Sequence, residues 1–334
     1  MLDAAESPLP CLTTPRLTIV VLNYRTADLT IDCLRSLTGE VAALPNTQVI
    51  VVDNDSGDGS ADKIAAAIAA EAWGAWATLM PLDHNGGYAF GNNAAIRSAL
   101  AAEPPPDYIL LLNPDTVVRP GAIPALVEFM VAHPKVGIAG SRLEDPDGTP
   151  QCSAFRFPTA LSELNDGLRL GVVTSLLSKW VVAPPPPETA CAVDWVAGAS
   201  MMIRREVFET IGLMDEKYFL YFEELDFCLT ARRAGWPCWY VPESRVVHYV
   251  GQSSGVTDTK RQPKRRPTYW FESRRRFFVK NYGWGYAVLT ELIWASSFAL
   301  WRLRRAIQRK PDTDPPQLLS DFLLNSALLK GGQI

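Results

Sequence analysis

The chain has 334 residues, of which 48% are hydrophobic and 20% are charged, and its net charge is -4 at pH 7. These values are typical of a globular protein with a substantial core, built as one large domain or two medium ones. The slightly acidic balance argues against a general nucleic-acid-binding protein, which needs a strongly basic surface, so no nucleic-acid partner is predicted.

The N-terminal segment carries no structural pattern. Residues 1–15 contain three prolines and no hydrophobic periodicity, and they are predicted to be a flexible tail. They lack the basic segment and apolar stretch of a secretory signal, which predicts a cytoplasmic protein. The six cysteines include no C-x-x-C pair, so neither a zinc site nor a disulfide framework is predicted. Cys33 and Cys228 fall on apolar helical faces and are expected to be reduced, buried thiols.

Strands and helices alternate over the first part of the chain. Aliphatic runs such as 49–52 and 109–112 show no polar alternation, which is typical of strands buried on both faces of a parallel sheet. The predicted strands cover 18–22, 49–52, 78–82 and 108–112, and the predicted helices cover 28–37, 62–73, 89–100 and 123–133. This alternation predicts an α/β fold with right-handed crossovers and a mostly parallel central sheet flanked by helices.

The rhythm changes after about residue 137. A proline-rich connector at 184–187 precedes a predicted strand at 195–204, a helix at 224–234 and a strand at 238–241. Residues 255–267 carry charge, Pro and Thr without an apolar pattern and are predicted to be a mobile loop.

The C-terminal tail is apolar and then basic. Residues 284–301 are almost entirely apolar, and Arg and Lys dominate up to residue 310. Three structures remain open for 284–310: a helix packed on the domain or on a partner subunit, a helix in the membrane interface, or a membrane span. The length is marginal for a span, and Glu291 interrupts the apolar stretch. The oligomeric state is likewise open.

Two aspartates follow aliphatic runs, at the ends of two predicted strands. Because ligands of parallel sheets bind outside the carboxyl ends of the strands, Asp53 and Asp115 are expected to face one crevice. Asp53 can accept a hydrogen bond from a ring N–H of a nucleotide base, and Asn23 and Tyr24 lie next to it at the end of the first strand. Each aspartate could alternatively be a simple turn former.

A metal site and a general base are also predicted. Mg²⁺ and Mn²⁺ prefer carboxylate oxygens and share their coordination with substrate phosphates, so Asp115 is a candidate ligand, with His248 as a second ligand or a phosphate contact. Glu223 and Glu224 begin the helix at 224–234, behind an aromatic stretch that would raise their pKa values as a general base requires. The alternative is a helix whose acidic first turn only matches its dipole.

In this order, these segments resemble family 2 glycosyltransferases of the GT-A fold, specifically the rhamnosyltransferase-like branch. The resemblance spans about residues 17–255. The helices predicted after this range would be a C-terminal extension of that fold. Its motifs are VVLNY at 20–24, VVDNDS at 51–56, NGGYAFGNN at 85–93, LNPDT at 112–116, FEELD at 222–226 and HYVGQS at 248–253.

The resemblance implies specific roles in sugar transfer from a nucleotide-diphosphate donor. Asp53 would hold the base, and Asp115 with His248 would hold a divalent cation, Mg²⁺ or Mn²⁺. The predicted donor-binding residues are Asn23, Tyr24, Asp53, Asn85, Gly86, Gly87, Gly91, Asn92 and Asn113. The predicted acceptor-side residues are Trp195 and Gly198.

The chain departs from the family pattern at two places. The first Asp of the D-x-D motif is Asn113 here, so one protein carboxylate would hold the metal. The base motif, often Glu-Asp, contains Glu223 and Glu224; register favours Glu224, followed by Glu223 and then Asp226. The predicted domains are a flexible tail (1–15), a glycosyltransferase domain (16–255, with a nucleotide-binding half at 16–120 and an acceptor and catalytic half at 121–255) and a basic loop with a helical extension (256–334), for which membrane association is one of the open alternatives.

The implied function is an inverting, metal-dependent, non-processive transferase that adds one sugar, rhamnose by the branch it resembles. The donor would be a dTDP-, UDP- or GDP-sugar, and the acceptor a glycan or lipid-linked precursor of the cell surface at the inner face of the membrane. The basic segment 260–266 would close over the diphosphate or act as a solvated linker. The alternatives are a sugar-phosphate nucleotidylyltransferase, for which segment 23–26 lacks a Gly-rich loop, and a catalytically dead binding scaffold.

Overall fold

A computed structural model describes residues 14–249 and 263–332. Outside these ranges lie most of the predicted N-terminal tail (1–13), residues 250–253 of the HYVGQS motif and residues 255–262 of the predicted loop. The strands are β1 (Leu17–Asn23), β2 (Thr47–Asp53), β3 (Ala77–Pro81), β4 (Tyr108–Leu112), β5 (Thr116–Val118), β6 (Ile138–Glu144), β7 (Ala154–Phe155), β8 (Cys191–Val193), β9 (Trp195–Val196), β10 (Ser200–Arg204) and β11 (Cys238–His248). The helices are α1 (Ala27–Ala43), α2 (Ser60–Ala70), α3 (Gly87–Leu100), α4 (Ala122–Ala132), α5 (Ala160–Leu168), α6 (Gly171–Leu176), α7 (Arg205–Ile211), α8 (Glu223–Arg233), α9 (Thr268–Tyr282), α10 (Trp284–Ile307), α11 (Leu318–Leu324) and α12 (Ala327–Lys330).

One large sheet organises the fold. Its strand order is β3-β2-β1-β4-β10-β6-β11-β5, and β8 pairs with β11 outside this path. The first four strands are parallel. The second half is mixed, because β10 runs antiparallel to both β4 and β6, while β11 is parallel to β6 and antiparallel to β5. The predicted α/β class with a helix-flanked sheet is confirmed.

The aliphatic runs produce a sheet that is buried on both faces. All seven residues of β1 and all five of β4 are buried. Successive side chains of a strand point to opposite faces, so Ile19 and Val21 pack with helices α1, α2 and α4, whereas Val20 and Leu22 pack with α3, α7 and α8. This double burial explains why the strands show no polar alternation.

The predicted strand at 195–204 is wrong as a single element. The chain forms β9, leaves the extended conformation around Gly198, and resumes as β10 in a different pairing. The predicted strand at 238–241 continues to His248. Its pairing with β6 shifts register after Val241. Pro242 interrupts the strand pattern in the sequence at this point, so the continuation was not predicted. Cys33 and Cys228 are buried free thiols, as predicted.

The C-terminal helices pack against the rest of the fold. Helix α10 lies along α5 and α9, and α11 and α12 pack on α10. In the ranges that the structure covers, none of the helices has the length and apolar character needed to cross a bilayer.

A buried carboxylate fastens the strands at the far edge of the sheet. Glu144, at the end of β6, is fully buried and accepts hydrogen bonds from Arg119 Nε at 3.0 Å and Arg245 Nε at 2.9 Å. Arg142 Nε lies 3.5 Å from the same carboxylate. Burial alone would raise the pKa of Glu144, but the hydrogen bonds from Arg245 and Arg119 outweigh it and hold the pKa below its usual range. The cluster therefore ties β6 to β11 and to the residue that follows β5.

We expect Glu144→Gln to lower the free energy of unfolding at pH 7 by about 3 kcal/mol, because it leaves three arginines around a neutral amide. Since the folded pKa of Glu144 is depressed, this contribution is present above the ordinary carboxyl pKa and is lost as the pH falls through the folded pKa. Urea unfolding at neutral and acidic pH measures both effects. The exposed Glu128→Gln is the matched control. Equal stability of the two variants would contradict the assigned role of Glu144.

Candidate active site

The carboxyl ends of β1 and β2 carry the first part of the site. Asn23 and Asp53 lie opposite each other in the register of the two strands, and Asn23 Nδ2 donates to Asp53 Oδ1 at 2.6 Å. Ser56 donates its hydroxyl to the same oxygen at 2.7 Å and its backbone N–H to Asp53 Oδ2 at 3.1 Å. This network holds the Asp53 carboxylate in one orientation at the strand end.

Asn23 supports Asp53 and is itself closed off. It is fully buried, and its Oδ1 accepts hydrogen bonds from Thr26 and Thr30. Tyr24, in contrast, is partly exposed beside the crevice, and the Arg25 guanidinium lies 5.0 Å from its ring centroid. Neither Arg25 nor Ser56 is among the site residues predicted from the sequence, although Ser56 is the last residue of the VVDNDS motif.

The Asn85–Gly87 loop is pinned to the end of β2 by a residue that sequence reasoning passed over. Asn54 Nδ2 donates to Asn85 Oδ1 at 2.9 Å and to the Gly87 carbonyl at 3.1 Å. Asn54 Oδ1 is buried and has no hydrogen-bond partner in the described structure. An unpaired buried amide oxygen next to Asp53 is an available acceptor for a ligand N–H or O–H.

Two glycines permit close packing of this loop. Gly87 has a φ of +91°, and a Cβ there would lie 2.0 Å from the Phe219 carbonyl oxygen, which accepts the Tyr88 N–H. A Cβ on Gly91 would lie 2.4 Å from Leu22 Cδ1. Any side chain at either position would therefore push α3 away from its neighbours.

Tyr88 links this donor side of the crevice to the break between β9 and β10. Its hydroxyl donates to the Gly198 carbonyl at 2.8 Å, and the missing Gly198 side chain makes room for the ring. Asn92, which is almost completely buried, donates to the Tyr88 carbonyl at 3.0 Å. Gly198 and Asn92 thus position Tyr88, which sequence reasoning did not select although it lies inside the NGGYAFGNN motif.

Strand pairing brings the two predicted metal ligands together. His248 lies opposite Thr116 in the antiparallel pair of β11 and β5, and the Tyr249 N–H donates to the Asp115 carbonyl at 2.9 Å. His248 Nε2 is 3.6 Å from Asp115 Oδ1, beyond hydrogen-bond distance.

The two side chains fit a divalent cation. Asp115 Oδ1 and His248 Nδ1 are buried and lack a hydrogen-bond partner in the described structure, so neither is committed to the protein. Over residues 14–249 and 263–332, no three His, Cys, Asp or Glu side chains converge as a metal cage. A cation held here would take its remaining ligands from water and from donor phosphates, as Mg²⁺ commonly does.

Two adjacent carboxylates face the same space at the start of α8. Tyr221 and Phe222 precede them with φ values of 70° and 71°, a left-handed conformation that is costly for aromatic residues. Glu223 Oε2 and Glu224 Oε2 are buried without a hydrogen-bond partner in the described part of the chain.

The surroundings of Glu223 and Glu224 raise the pKa of both carboxyl groups, so each keeps its proton at a higher pH than a free glutamate does. Burial raises the pKa of Glu224 to about 7. Burial, with the Glu224 charge beside it, raises the pKa of Glu223 well above its usual range. Glu223 is buried, whereas Glu224 keeps partial exposure.

Asp226, the third predicted carboxylate, is engaged elsewhere. Its Oδ2 accepts from Lys280 Nζ at 2.7 Å and its Oδ1 accepts from Asn281 Nδ2 at 2.6 Å. Lys280 also donates to Asp215 Oδ2 at 2.9 Å. In the structure Asp226 therefore joins α8 to α9, and only Glu223 and Glu224 keep unpartnered oxygens.

Trp195 and Asn113 flank these groups. The Trp195 ring stacks on Phe155 with 4.1 Å between centroids, and its Nε1 donates to the Arg156 carbonyl at 3.1 Å. It is partly exposed. Asn113 is held through its backbone N–H, which donates to the Ala199 carbonyl at 3.0 Å, and its side chain is partly exposed.

Tyr88 lies next to several parts of the site. Its backbone N–H donates to the Phe219 carbonyl and its hydroxyl donates to the Gly198 carbonyl, while the Asn113 N–H donates to the adjacent Ala199 carbonyl. Burial raises the pKa of Tyr88 well above its usual value, and the nearby charges of Glu224, Glu223 and Asp115 raise it further. Asp53 and the Asn85–Gly87 loop adjoin Tyr88 through Asn54.

Comparison with known protein families gives one match that covers most of the chain. The sequence model of the family described as "Glycosyltransferase like family 2" matches residues 15–277. This range contains every site residue described above.

Characterised relatives are similar at moderate identity. N-acetylglucosaminyl-diphospho-decaprenol L-rhamnosyltransferase of Mycobacterium tuberculosis is 31% identical over 194 residues, which cover 53% of this chain and 60% of that protein. The match thus spans well under the full length of the mycobacterial enzyme. The dTDP-rhamnosyl transferase RfbF of Shigella flexneri is 26% identical over 70% of this chain and 71% of its own length.

Solved structures share the fold. The mannosyltransferase PcManGT of Pyrobaculum calidifontis, in complex with GDP-Man and Mn²⁺, superposes with a TM-score of 0.54 at 16% identity, covering 96% of this chain and 83% of that one. GalNAc-T7 with UDP, GalNAc and Mn²⁺ gives a TM-score of 0.57 at 14% identity, covering 94% and 56%. At these identities the likeness concerns the fold alone.

The buried glutamate pair predicts an unusual pH dependence of stability. The folded pKa of Glu224, about 7, lies above that of an unfolded glutamate, so the proton stabilises the folded state. This stabilisation is complete below the unfolded pKa and is lost as the pH rises toward 7. We expect Glu224→Gln, which mimics the protonated form, to be on the order of 2 kcal/mol more stable than the wild type at pH 8 and nearly equal at pH 5. Urea unfolding at both pH values measures this difference, and a pH-independent difference would refute the raised pKa.

Proposed function

The chain belongs to glycosyltransferase family 2, and from that premise we propose that it transfers a single sugar, with inversion, from a nucleoside-diphosphate donor to a hydroxyl of a lipid-linked glycan precursor. We propose rhamnose as the sugar and a divalent cation as the cofactor. The observation that carries this proposal is the convergence of the Asp115–His248 pair and the Glu223–Glu224 pair around Tyr88. One pair suits a leaving diphosphate and the other an attacking hydroxyl.

On the donor side, the residues around β1 and β2 bind the nucleotide. Asp53, held by Asn23 and Ser56, presents a fixed acceptor to a base N–H, and Tyr24 offers a ring face beside it. The Asn85–Gly87 loop and Asn113 contact the diphosphate and sugar, where the glycines permit close backbone approach. In this proposal Asn92 and Gly91 support the loop from behind.

On the metal side, Asp115 and His248 would hold the cation. When bound, Mg²⁺ or Mn²⁺ supplies positive charge that neutralises the diphosphate as it leaves. The protein provides one carboxylate here, so affinity without the donor is expected to be weak. The complexes of PcManGT with GDP-Man and of GalNAc-T7 with UDP contain Mn²⁺ in proteins of the same fold, which supports the choice of cation.

On the acceptor side, Glu224 acts as the general base. It removes the proton from the acceptor hydroxyl while that oxygen attacks the anomeric carbon from the face opposite the diphosphate. The C–O bond to the diphosphate breaks, the leaving group takes the electron pair, and the proton remains on Glu224. A pKa of about 7 suits this transfer near neutral pH. Glu223 is adjacent to Glu224 and more deeply buried, and it balances the charge of the pair. Trp195 and Gly198 border the acceptor.

The sugar and the acceptor are proposed from the relatives. Their names describe transfer of L-rhamnose to a decaprenol-linked N-acetylglucosamine and the use of a dTDP-rhamnosyl donor. A lipid-linked acceptor would place the enzyme at the inner face of the cell membrane. In this proposal residues 16–255 form the transferase domain and 256–334 the extension that reaches the lipid.

We expect purified protein to transfer a sugar from one member of a dTDP-, UDP- and GDP-sugar panel to a polyprenyl-diphosphate N-acetylglucosamine, with dTDP-rhamnose preferred. Glu224→Gln should reduce kcat about 10² to 10⁴-fold with little change in the KM for donor, because only the proton acceptor is lost. Product formation is followed by chromatography of radiolabelled acceptor.

Glu243→Gln, an exposed substitution on β11, serves as the control and should retain full turnover. If Glu223→Gln abolished transfer while Glu224→Gln retained it, the base would be Glu223. Absence of transfer or donor hydrolysis with every donor, in Mg²⁺ or Mn²⁺, would refute the proposed function.

We expect Mn²⁺ to bind in the presence of nucleoside diphosphate and to lose at least tenfold in affinity in Asp115→Asn and in His248→Ala, since each removes one of two protein ligands. The electron paramagnetic resonance signal of free Mn²⁺ measures the affinity. His133→Ala, an exposed histidine on the far side of α4, is the matched control. Unchanged affinity in both site variants would exclude this pair as the metal site.

A further inference from the structure

Helix α10 has a mostly apolar outward face, interrupted by the exposed Ser296, whose hydroxyl donates to the Leu292 carbonyl of the same helix. Leu289, Leu292, Leu300, Leu303 and Ile307 are between 49% and 74% exposed, and their spacing of three, four or eight residues places them on one side of the helix. We call these five residues the α10 face. The opposite side of the helix is buried against α5, α9 and α11. Because the 24 residues of α10 extend about 36 Å, the face is long for a surface that only meets water.

Neighbouring helices add exposed apolar side chains. Val172 and Leu176 on α6 are 74% and 75% exposed. Helix α6 follows α5 directly, and the end of α5 is held to α10 because Arg304 donates to the Leu168 and Arg169 carbonyls. Leu328 and Leu329 on α12 are also exposed, and α12 is fixed to α10 by the Trp284 Nε1–H, which donates to the Ala327 carbonyl at 2.9 Å. Exposed apolar side chains are therefore also present on the elements attached to both ends of α10.

The C-terminal end of α10 and the residues that follow it are rich in positive charge. Five basic residues and no acidic residue occupy 302–310. Arg305 pairs with Asp312 and Asp314, Asp314 also pairs with Arg169, and the Arg302 charge acts on Asp312. Arg309 and Lys310, just after the helix, are exposed and form no ion pair within the described ranges. The acids nearest to them in the chain are thus already engaged.

This charge distribution favours an anionic lipid surface over a second copy of the chain. Another copy would present the same two cations and the same engaged acids, so the charges would stay unpaired. The headgroups of anionic lipids pair with such cations while the acyl boundary accepts the leucines.

We infer that α10 lies flat in the surface of an anionic bilayer, with the α10 face in the headgroup and acyl boundary and with Arg309 and Lys310 on the headgroups. This inference names the lipid-binding surface and the lipid class, and it rests on the proposed function for the lipid-linked acceptor that such a surface would serve. Lipid binding itself is measured without donor or acceptor, so the two proposals can fail separately.

The test is co-sedimentation of the full chain with vesicles of phosphatidylcholine alone or with phosphatidylglycerol added. We expect binding to the anionic vesicles that weakens at high salt, because exposed charges are screened. Leu300→Glu with Leu303→Glu should lower the partition coefficient at least tenfold, since it places charge in the apolar boundary. Arg309→Glu with Lys310→Glu should lower it at least tenfold for anionic vesicles only.

Two control variants make the same kinds of substitution away from α10, so they test whether the position of the changed residue matters. Val131→Glu and Lys135→Glu change an exposed apolar and an exposed basic residue on the side of α4, and both should bind vesicles like the wild type. Transfer to a short-chain, water-soluble acceptor should be unchanged in the double variant of Leu300 and Leu303 and in that of Arg309 and Lys310. Unchanged transfer would show that each variant is folded.

Three results would overturn the inference. One is a wild-type chain that binds neither kind of vesicle while it transfers sugar to the soluble acceptor. Another is equal binding to neutral and anionic vesicles, which would remove the role of the cations. The third is a wild-type dimer by light scattering that becomes a monomer in Leu300→Glu with Leu303→Glu without any vesicle binding, which would assign the face to a second copy. Vesicle binding as expected with no transfer from any donor would instead refute the proposed function and leave this inference standing.

Discussion

The antiparallel pairing of β11 with β5 is the constraint on which the site depends. Asp115 lies between β4 and β5, and His248 reaches it only because β11 returns along β6 and adds to β5. The short β5 could not hold that edge alone. The carboxylate of Glu144, shared by arginines from β11 and from the end of β5, holds the strands in register in a buried setting where an unpaired charge would be costly.

The same crevice concentrates groups that folding leaves unsatisfied. Buried oxygens of Asp115, Glu223 and Glu224 have no hydrogen-bond partner in the described structure, and two aromatic residues before α8 adopt a left-handed backbone. Each feature costs stability, and well-packed proteins contain few of them. Their clustering around Tyr88 is understandable if a cation, a diphosphate and an acceptor hydroxyl complete these groups during turnover. The extensive buried sheet offsets the cost.

The C-terminal helices also hold part of the proposed site in place. Lys280 and Asn281 of α9 occupy both oxygens of Asp226 and so hold α8, whose first turn carries the glutamate pair. Helix α10 then packs on α9 and turns its leucines outward. One helical unit thus connects the position of the proposed base to the proposed lipid surface, which would keep an acceptor head near Glu224 while its lipid stays in the bilayer.

Local sequence determined the α/β class, most elements of the first half and the identity of the strand-end carboxylates, because aliphatic runs and turn residues act over a few neighbouring positions. The motifs also selected Glu223, Glu224 and His248. Only the tertiary structure decided that residues 195–204 form two separate strands, that β11 extends to His248, that Asp226 is engaged by α9, and that Asn54 and Tyr88 join the parts of the site. It also showed that the apolar tail packs one side on the domain and exposes the other. These outcomes depend on which distant residues meet, and contacts between distant residues leave no periodic signal in the chain.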